Sequence, residues 1–372
     1  MTKSKKIKIL FITPSFSRGG SEMYLFYLLN NIDRNKFEFI LFSDNRGELT
    51  KLNHDYKIYI NTKSTNYVFN CFSLFVRKLI NADKTKQKLK KLHKKFQPDL
   101  WYINTGVIPK YASIANELNV PYIIHFHELI SVFSDIFYSD YIAILKKAKA
   151  IFYCSPSIEK FIRHLNNNIH YIQEHVQPQY VKLASSFRIK HKIPENAFVW
   201  VMSGQKNYRK GYDFIPEICE FLAKRKSYLI WLGGNRNYVI NKLISSQKID
   251  NLIEPGMLTG DEYYSVFLEA NAFVLTSRED PYPLVMLEAA YFKLPIVAFN
   301  SGGVSDFVDE KMGLVSDGIN LKDLLENMEK IMSEEVNIDK DHLYKKALFF
   351  HTDNTIKKWE DKILSIFSYL LI

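Results

Sequence analysis

The sequence contains few cysteines and no long apolar run. Its 372 residues include three cysteines, Cys71, Cys154 and Cys219, without the spacing of disulfides or metal ligands. We therefore expect reduced thiols and no zinc site. No window approaches the roughly 20 apolar residues of a membrane-spanning helix. The apolar stretch 7–12 is too short for a signal peptide, so we expect a first strand there and a cytoplasmic protein.

Internal repeats and low-complexity tracts are also absent, and what is present is an alternation of short apolar runs with helical segments. This alternation predicts two Rossmann-like α/β domains with doubly wound parallel sheets, facing each other across a cleft. The runs lie at 7–12, 37–42, 56–60, 100–103, 122–126 and 150–153, and then at 198–202, 229–232, 272–276 and 296–299.

The domain boundary is expected in the stretch 175–194, which contains two prolines and no clear strand pattern. We predict an N-terminal domain at 1–180 and a C-terminal domain at 190–352. The last segment, 355–372, has a wide apolar face typical of a helix. We expect this helix to cross back onto the first domain or to touch a membrane with its tip.

The net charge of +10 is concentrated near residues 77–95, where nine Lys or Arg residues accompany one acid, Asp83. Aromatic residues at 67–75 precede this segment. Together, residues 67–95 suggest contact with an anionic membrane surface. A nucleic-acid partner is not expected, because no recognisable nucleic-acid module accompanies the charge. A third interpretation is that Leu79, Leu89 and Leu92 pack on the core while the lysines face solvent.

Residues 276–303 carry the most informative pattern, because Asp280 and Glu288 lie eight positions apart across the start of a predicted helix at 284–292. The backbone amides of a first helical turn bind anions, and ionised carboxylates accept hydrogen bonds from sugar hydroxyls. A nucleotide sugar would satisfy both kinds of group. Taken alone, Glu279, Asp280 and Glu288 are more typical of acids that merely favour a helix N-terminus.

Other candidate residues follow predicted strands. Gly19 and Gly20 form a turn after the first strand, where paired glycines let a ligand approach the backbone, and Ser21 could cap a helix starting near Met23. His127 directly follows the strand at 122–126, with His125 as the second candidate. The run from Gly204 to Gly211 includes three cations suited to a diphosphate: Lys206, Arg209 and Lys210.

These motifs together resemble the retaining glycosyltransferases of family four, which have the GT-B fold. In that family two acids are separated by seven residues, and a Lys-Gly pair matches Lys210 and Gly211. The first acid is usually Glu, which here leaves Asp280 and Glu279 as alternatives. The family often has Arg where this chain has Gln205, and we hypothesise that Arg209 compensates.

A second departure is Pro283, which stands where the family usually has Gly, so one phosphate-binding amide is missing. The amides of Tyr282, Leu284 and Val285 remain available. The resemblance further matches the glycines at 233–234 and 302–303 with turns facing the cleft. It matches Met257 and Leu258 with the loop that reads the nucleotide base.

The resemblance implies that a sugar is transferred from a nucleotide donor, UDP- or GDP-linked, with retention of configuration and without a metal. Glu288 would hold the ribose, Asp280 or Glu279 the donor sugar, Lys210 with Arg209 the diphosphate, and His127 would orient the sugar. The expected acceptor is a glycan or lipid-linked molecule of the cell envelope. Two alternatives remain: a nucleotide-sugar epimerase of the same fold, and a catalytically inactive nucleotide-binding scaffold.

Overall fold

The computed structural model describes residues 5–61, 74–129, 139–180, 186–234, 242, 244 and 246–368. The chain divides into two compact units. Unit 1 comprises Met1–Gln173 with Thr355–Ile372, and unit 2 comprises Glu174–Asn354. Each unit is built on one parallel β-sheet, so the predicted α/β architecture of two doubly wound parallel sheets is confirmed.

Unit 1 contains a seven-stranded sheet in the order β3-β2-β1-β4-β5-β6-β7. Its strands are β1 (Ile7–Ser15), β2 (Phe37–Asn45), β3 (Ile58–Ile60), β4 (Leu100–Ile103), β5 (Tyr122–Phe126), β6 (Ala150–Tyr153) and β7 (Ile169–Tyr171). Its helices are α1 (Gly20–Asn31), α2 (Leu74–Phe96), α3 (Pro109–Glu117), α4 (Ser139–Lys147) and α5 (Pro156–Ile162).

Unit 2 contains a six-stranded sheet in the order β10-β9-β8-β11-β12-β13. Its strands are β8 (Val199–Ser203), β9 (Tyr228–Leu232), β10 (Leu252–Gly256), β11 (Ala272–Leu275), β12 (Ile296–Phe299) and β13 (Gly313–Ser316). Its helices are α6 (Phe187–Lys190), α7 (Ile215–Ala223), α8 (Asp261–Glu269), α9 (Leu284–Tyr291), α10 (Val304–Phe307), α11 (Leu321–Met332) and α12 (Lys340–Leu348).

The central strands coincide with the predicted apolar runs, and β4, β5, β6 and β12 have the predicted bounds. All residues of these four strands are buried, as expected where helices cover both faces of a parallel sheet. Three strands were not predicted: β7, β10 and β13.

Helix α1 begins three residues earlier than predicted. Its first residue is Gly20 and Gly19 is the N-cap, without a side-chain capping bond. The prediction that Ser21 caps the helix is therefore wrong. Ser21 lies in the first turn, where its hydroxyl donates to the neighbouring Glu22 carboxylate over 3.0 Å.

The last helix, α13 (Thr352–Ser368), contributes most of its length to unit 1. Trp359 and Ile363 are buried in the same core cluster as Phe11 of β1. The indole of Trp359 stacks on Phe11 with ring centroids 6.0 Å apart and donates a hydrogen bond of 3.2 Å to the Tyr102 hydroxyl. The core of unit 1 is therefore completed by residues more than 250 positions away in sequence.

In the described part of α2, Leu89 and Leu92 are buried while Lys88, Lys91 and Lys95 are exposed. The leucines thus pack on the core, as the third interpretation of this segment expects. The side chains of the aromatic segment 67–75, of Leu79 and of Cys71 lie outside the described residues, as does the helix tip at 369–372. Among the described helices, none has the length and apolarity needed to cross a membrane.

Candidate functional site

The order of strands in unit 2 reverses between β8 and β11, which are neighbours in the sheet. Helices that follow two such strands lie on opposite faces of the sheet, so the loops at the carboxyl ends diverge and leave a crevice. The loop 204–211 follows β8, and the loop 276–283 leads from β11 into α9. The two most informative segments of the sequence therefore both lie at this switch point.

Hydrogen bonds to backbone carbonyls hold these two loops together. The Thr276 hydroxyl donates to the carbonyl of Lys210 over 2.7 Å, and the amide of Arg278 donates to the carbonyl of Arg209 over 2.8 Å. Gly211 is in the left-handed region with φ of 71°, and a Cβ at this position would overlap the Thr276 carbonyl oxygen. A glycine is thus required where the first loop crosses the second.

The side chain of Arg278 also links the two loops. Its guanidinium makes two hydrogen bonds to the Asp213 carboxylate, of 2.6 and 2.7 Å, and a third of 2.6 Å to the carbonyl of Tyr208. It also lies over the rings of Tyr208 and Phe214, 3.7 and 4.1 Å from their centroids. A planar guanidinium suits this combination of a carboxylate and aromatic faces.

Lys210 and Asp280 form a direct ion pair between Nζ and Oδ2, and both side chains are largely buried. Glu279 is half-buried, and its backbone carbonyl accepts a 3.0 Å hydrogen bond from the guanidinium of Arg209. Of the two acids that the spacing left open, Asp280 is therefore the one whose carboxylate adjoins Lys210. The third cation, Lys206, is buried against Glu254 at 2.9 Å.

Glu288 lies in the second turn of α9 and is buried, with 8% of its surface exposed. Its Oε2 atom accepts a 2.8 Å hydrogen bond from the hydroxyl of Tyr263 in α8, and that hydroxyl also lies 3.1 Å from Ser203 Oγ. Burial raises the pKa of Glu288 to about 7, and the hydrogen bond from Tyr263 opposes this shift.

The amino end of α9 packs against a glycine turn. The amide of Gly303 lies 3.4 Å from the Asp280 carbonyl, and a Cβ on Gly302, whose φ is 60°, would overlap the same oxygen. The ring of Tyr282 stacks on Phe350 with centroids 5.5 Å apart, whereas Leu284 and Val285 are half-buried. Because Gly302 and Gly303 both contact the Asp280 carbonyl, this turn determines where the backbone of Asp280 lies.

Three further predicted residues lie near the carboxyl ends of β8, β9 and β10. Gly204 donates its amide to the Leu232 carbonyl over 2.8 Å, and a Cβ on Gly233 would overlap the Gly204 carbonyl. Met257 is half-exposed and Leu258 is partly buried, directly after β10. The close packing at Gly204 holds the start of the loop that carries Lys210.

In unit 1 the strand order reverses between β1 and β4. His127 Nε2 lies 3.1 Å from Asn104 Oδ1. The side-chain amide of Asn104 donates to the backbone carbonyl of Ser21 over 2.8 Å. His127 is thereby connected to the turn that contains Gly19 and Gly20. His125 is fully buried, with Nδ1 2.7 Å from the Tyr102 hydroxyl, so it belongs to the core of the unit.

Sequence reasoning missed Arg278, Asn104, Ser203 and Tyr263. Asn104 directly follows the strand predicted at 100–103, Ser203 directly follows the one at 198–202, and Arg278 lies two residues beyond the one at 272–276. Those positions were a signal that could have indicated them. Tyr263 lies within a helix and carries no such signal. Its hydroxyl reaches Glu288 only because α8 and α9 lie close together at the same end of the sheet.

Most of the chain matches two known protein families. Residues 18–179 match the family described as Glycosyltransferase Family 4, and residues 185–348 match the one described as Glycosyl transferases group 1. The chain belongs to glycosyltransferase family four. This is a family of retaining, metal-independent glycosyltransferases with the GT-B fold that use nucleotide-sugar donors.

Two curated relatives of this family-four chain match over shorter segments. Alpha-galactosylglucosyldiacylglycerol synthase of Streptococcus pneumoniae is 31% identical over 111 residues, which are 28% of this chain and 29% of the relative. D-inositol 3-phosphate glycosyltransferase of Pseudarthrobacter chlorophenolicus is 25% identical over 175 residues, which are 43% and 42% of the two chains. The matched segments therefore span less than half of each relative.

Solved structures match the family-four chain over nearly its full length. Sucrose-phosphate synthase from Thermosynechococcus elongatus has a TM-score of 0.78 at 16% identity, covering 98% of this chain and 100% of that one. The Anabaena protein HepE, solved in complex with UDP and glucose, has a TM-score of 0.77 at 17% identity, covering 96% and 100%. At these identities the likeness concerns the fold.

Proposed function

We propose that the protein is a retaining glycosyltransferase that moves a sugar from a nucleotide-sugar donor to a glycan or lipid-linked acceptor. The observation that carries this proposal is the gathering of Lys210, Asp280 and Glu288 at the switch point of the unit 2 sheet. Unit 2 is proposed as the donor-binding domain and unit 1 as the acceptor-binding domain.

The proposed roles follow from the chemistry of each group. The Glu288 carboxylate accepts from the ribose hydroxyls, and the Asp280 carboxylate accepts from a hydroxyl of the donor sugar. Lys210, with Arg209, neutralises the diphosphate as negative charge builds on the leaving group. The amides of Tyr282, Leu284 and Val285 supply further donors at the start of α9. His127 orients the sugar.

The ion pair between Lys210 and Asp280 supports these roles because it holds both groups in position before a donor arrives. The Lys210 side chain exchanges part of that contact for phosphate oxygens when a donor binds. Preorganised charge of this kind is effective in a site that excludes water.

The donor is tested first by a thermal-shift screen with UDP-, GDP-, dTDP- and ADP-sugars. The right donor stabilises the folded protein by mass action, whereas the others leave the melting temperature unchanged. A donor-hydrolysis assay then separates the alternatives: released nucleotide with free sugar supports a transferase, an epimerised donor supports an epimerase, and binding without turnover supports a scaffold. If no donor shifts the melting temperature, the nucleotide-sugar assignment is wrong.

The choice between the two acids is tested by Asp280→Asn and Glu279→Gln. We expect Asp280→Asn to lower turnover by roughly a hundredfold or more, as for removal of a charged group that acts in the transition state. Glu279→Gln is expected to keep turnover within a few-fold, because the carboxylate that pairs with Lys210 is that of Asp280. Loss of turnover in Glu279→Gln alone would reverse the assignment.

The proposed role of Lys210 and Arg209 in binding the diphosphate is tested by Lys210→Ala and Arg209→Ala. Lys248→Ala, at an exposed position, is a matched control. We expect both site variants to weaken donor binding and Lys248→Ala to match the wild type. If Arg209→Ala left donor affinity and turnover unchanged while Lys210→Ala removed activity, Arg209 would not compensate for the family arginine missing at Gln205.

We propose an envelope acceptor, a cytoplasmic location and peripheral contact with an anionic membrane through residues 67–95. The exposed lysines of α2 support this, as does a relative named for synthesis of a glycosylated diacylglycerol. Flotation with vesicles containing 30% anionic lipid tests it. Replacing Lys91, Lys94 and Lys95 by Gln should weaken binding, whereas replacing Lys248, Lys311 and Lys322 in unit 2 should not. Equal binding to neutral vesicles would contradict the proposal.

A further inference from the structure

Tyr263 connects three elements around the buried Glu288. The residue lies in the first turn of α8, and its hydroxyl lies 2.8 Å from Glu288 Oε2 in α9 and 3.1 Å from Ser203 Oγ at the end of β8. A phenol has a single proton. The Glu288 carboxylate is the nearer and the stronger acceptor, so it takes this proton, and Ser203 lies beside the phenol as the third member of a chain of three groups.

This chain uses one of the two oxygens of Glu288. Among the described residues, none donates a hydrogen bond to Oε1, whereas Oε2 is held by Tyr263. A carboxylate with one oxygen held by the protein keeps a defined rotamer and has its second oxygen available for a ligand donor.

We propose that Tyr263 is a positioning residue for the nucleotide: it holds the Glu288 carboxylate through Oε2, so that Oε1 accepts from the ribose hydroxyls. The proposal rests on the proposed function, because it takes Glu288 as the ribose-binding residue. It assigns a role to the side chain at this position of α8, which the sequence motifs of the site do not include.

The electrostatics of Glu288 support the same role. A ribose hydroxyl is bound best by an ionised carboxylate, yet burial raises the pKa of Glu288 to about 7, so much of it is protonated near neutral pH. The hydrogen bond from Tyr263 lowers that pKa, and no charged side chain among the described residues contributes to the shift. Tyr263 therefore increases the ionised fraction of Glu288 at neutral pH.

The experiment compares Tyr263→Phe with Tyr264→Phe, which removes the same atom from the next residue of α8. Affinity for UDP and for GDP is measured by calorimetry from pH 5.5 to 9 for the wild type, both variants and Glu288→Gln. The phosphates also titrate in this range, so each variant is compared with the wild type at the same pH. Melting temperatures are recorded to establish that each variant is folded.

We expect wild-type affinity for one of these nucleotides to rise as pH increases through about 7, the pKa of Glu288. In Tyr263→Phe the rise should move to higher pH, with binding at pH 7 weakened roughly tenfold. Tyr264→Phe should match the wild type. A merely structural loss would lower affinity at every pH without moving the midpoint, and that result would overturn the proposal, as would an equal shift in Tyr264→Phe.

The 2′-deoxy forms of the same nucleotides separate this inference from the proposed function. If Glu288→Gln prefers the ribonucleotide as strongly as the wild type does, Glu288 does not bind the ribose and both assignments fall. If Glu288→Gln loses the preference while Tyr263→Phe keeps the wild-type pH midpoint, the ribose site stands and the role of Tyr263 alone is refuted. Absence of binding by either nucleotide to the wild type also overturns the inference.

Discussion

At the scale of single residues, the site contains two buried carboxylates with different partners. Asp280 is 7% exposed and adjoins the ammonium of Lys210, whereas Glu288 is 8% exposed and accepts from the uncharged hydroxyl of Tyr263. A buried charge without a cation is costly, because desolvation disfavours the ionised form. Burial of Glu288 therefore lowers the stability of the folded protein when this carboxylate is ionised.

The dependence of stability on pH follows from this. The pKa of Glu288 is 4.5 for an unperturbed group and about 7 in the fold, so between these values the folded state binds more protons than the unfolded state. The protonated form of Glu288 therefore contributes stability to the fold. This contribution to the unfolding free energy is fully present below pH 4.5 and is lost as pH rises through about 7. The shift corresponds to about 3 kcal/mol.

Glu288→Gln removes this dependence. We expect the unfolding free energy of the variant, relative to the wild type, to increase by up to about 3 kcal/mol between pH 4.5 and 8. Urea unfolding at several pH values measures it, with the exposed Glu310→Gln as control. A difference that stays constant with pH would contradict the raised pKa.

At the scale of elements, the site depends on how turns and loops pack against each other. Gly302 and Gly318 are both in the left-handed region, with φ of 60° and 66°. A Cβ on Gly302 would overlap the Asp280 carbonyl, whereas a Cβ on Gly318 would meet no atom within 4 Å. The two positions therefore differ in packing and not in backbone conformation.

This difference makes a matched pair of variants. Gly318→Ala should cost roughly 1 kcal/mol of unfolding free energy, the cost of a left-handed non-glycine residue. Gly302→Ala should cost more and should also lower donor turnover, because relieving the overlap moves the backbone of Asp280. Chemical unfolding and donor hydrolysis measure the two effects. Equal stability losses and unchanged turnover in both variants would be inconsistent with this packing.

The loop that carries Lys210 is held by Arg278, and Arg225 provides a control with similar contacts. Arg225 pairs with Glu329 and lies over the Phe221 ring at 3.7 Å. We expect Arg278→Lys to raise the donor KM about tenfold, because lysine replaces neither the bidentate bond to Asp213 nor the stacking. Arg225→Lys should leave donor kinetics unchanged. Steady-state kinetics distinguish the two, and equal effects would argue against a role in placing the loop.

At the scale of the whole molecule, unit 1 is discontinuous in sequence. Its core includes the described part of α13, in which Trp359, Ile363 and Ile366 are buried. Glu360 of the same helix accepts from the amide of Asp33 over 2.7 Å and pairs with Lys36 at 2.8 Å. The core of unit 1 therefore depends on α13, which is remote in sequence from the rest of the unit.

Trp359→Ala tests this dependence. We expect a loss of about 3–5 kcal/mol, as for other fully buried large aromatic side chains, with preferential proteolysis within 5–173. Phe349→Ala, at a position 62% exposed, should cost less than 1 kcal/mol. Thermal unfolding and limited proteolysis provide the measurements. Comparable losses in both variants would show that α13 contributes little to the core of unit 1.

The accuracy of the predicted strands depended on their position in the sheets. The buried strands β4, β5, β6 and β12 have the predicted bounds, because strands covered on both faces are continuous apolar runs. The three missed strands, β7, β10 and β13, each lie at a sheet edge and are only partly buried. An edge strand has fewer apolar neighbours, so its sequence carries a weaker signal.

What the sequence by itself determined is local: the alternation of strands and helices, and the spacing that carries Asp280 and Glu288 across one helix start. Local geometry repeats along the chain, so a pattern of residues is enough to predict it. Only the tertiary structure decided that Lys210 adjoins Asp280, 70 positions away, and that Tyr263 donates to Glu288, 25 positions away. These contacts depend on the order of strands in the sheet, which brings distant loops to one edge. The spacing of residues within a single segment does not predict that order.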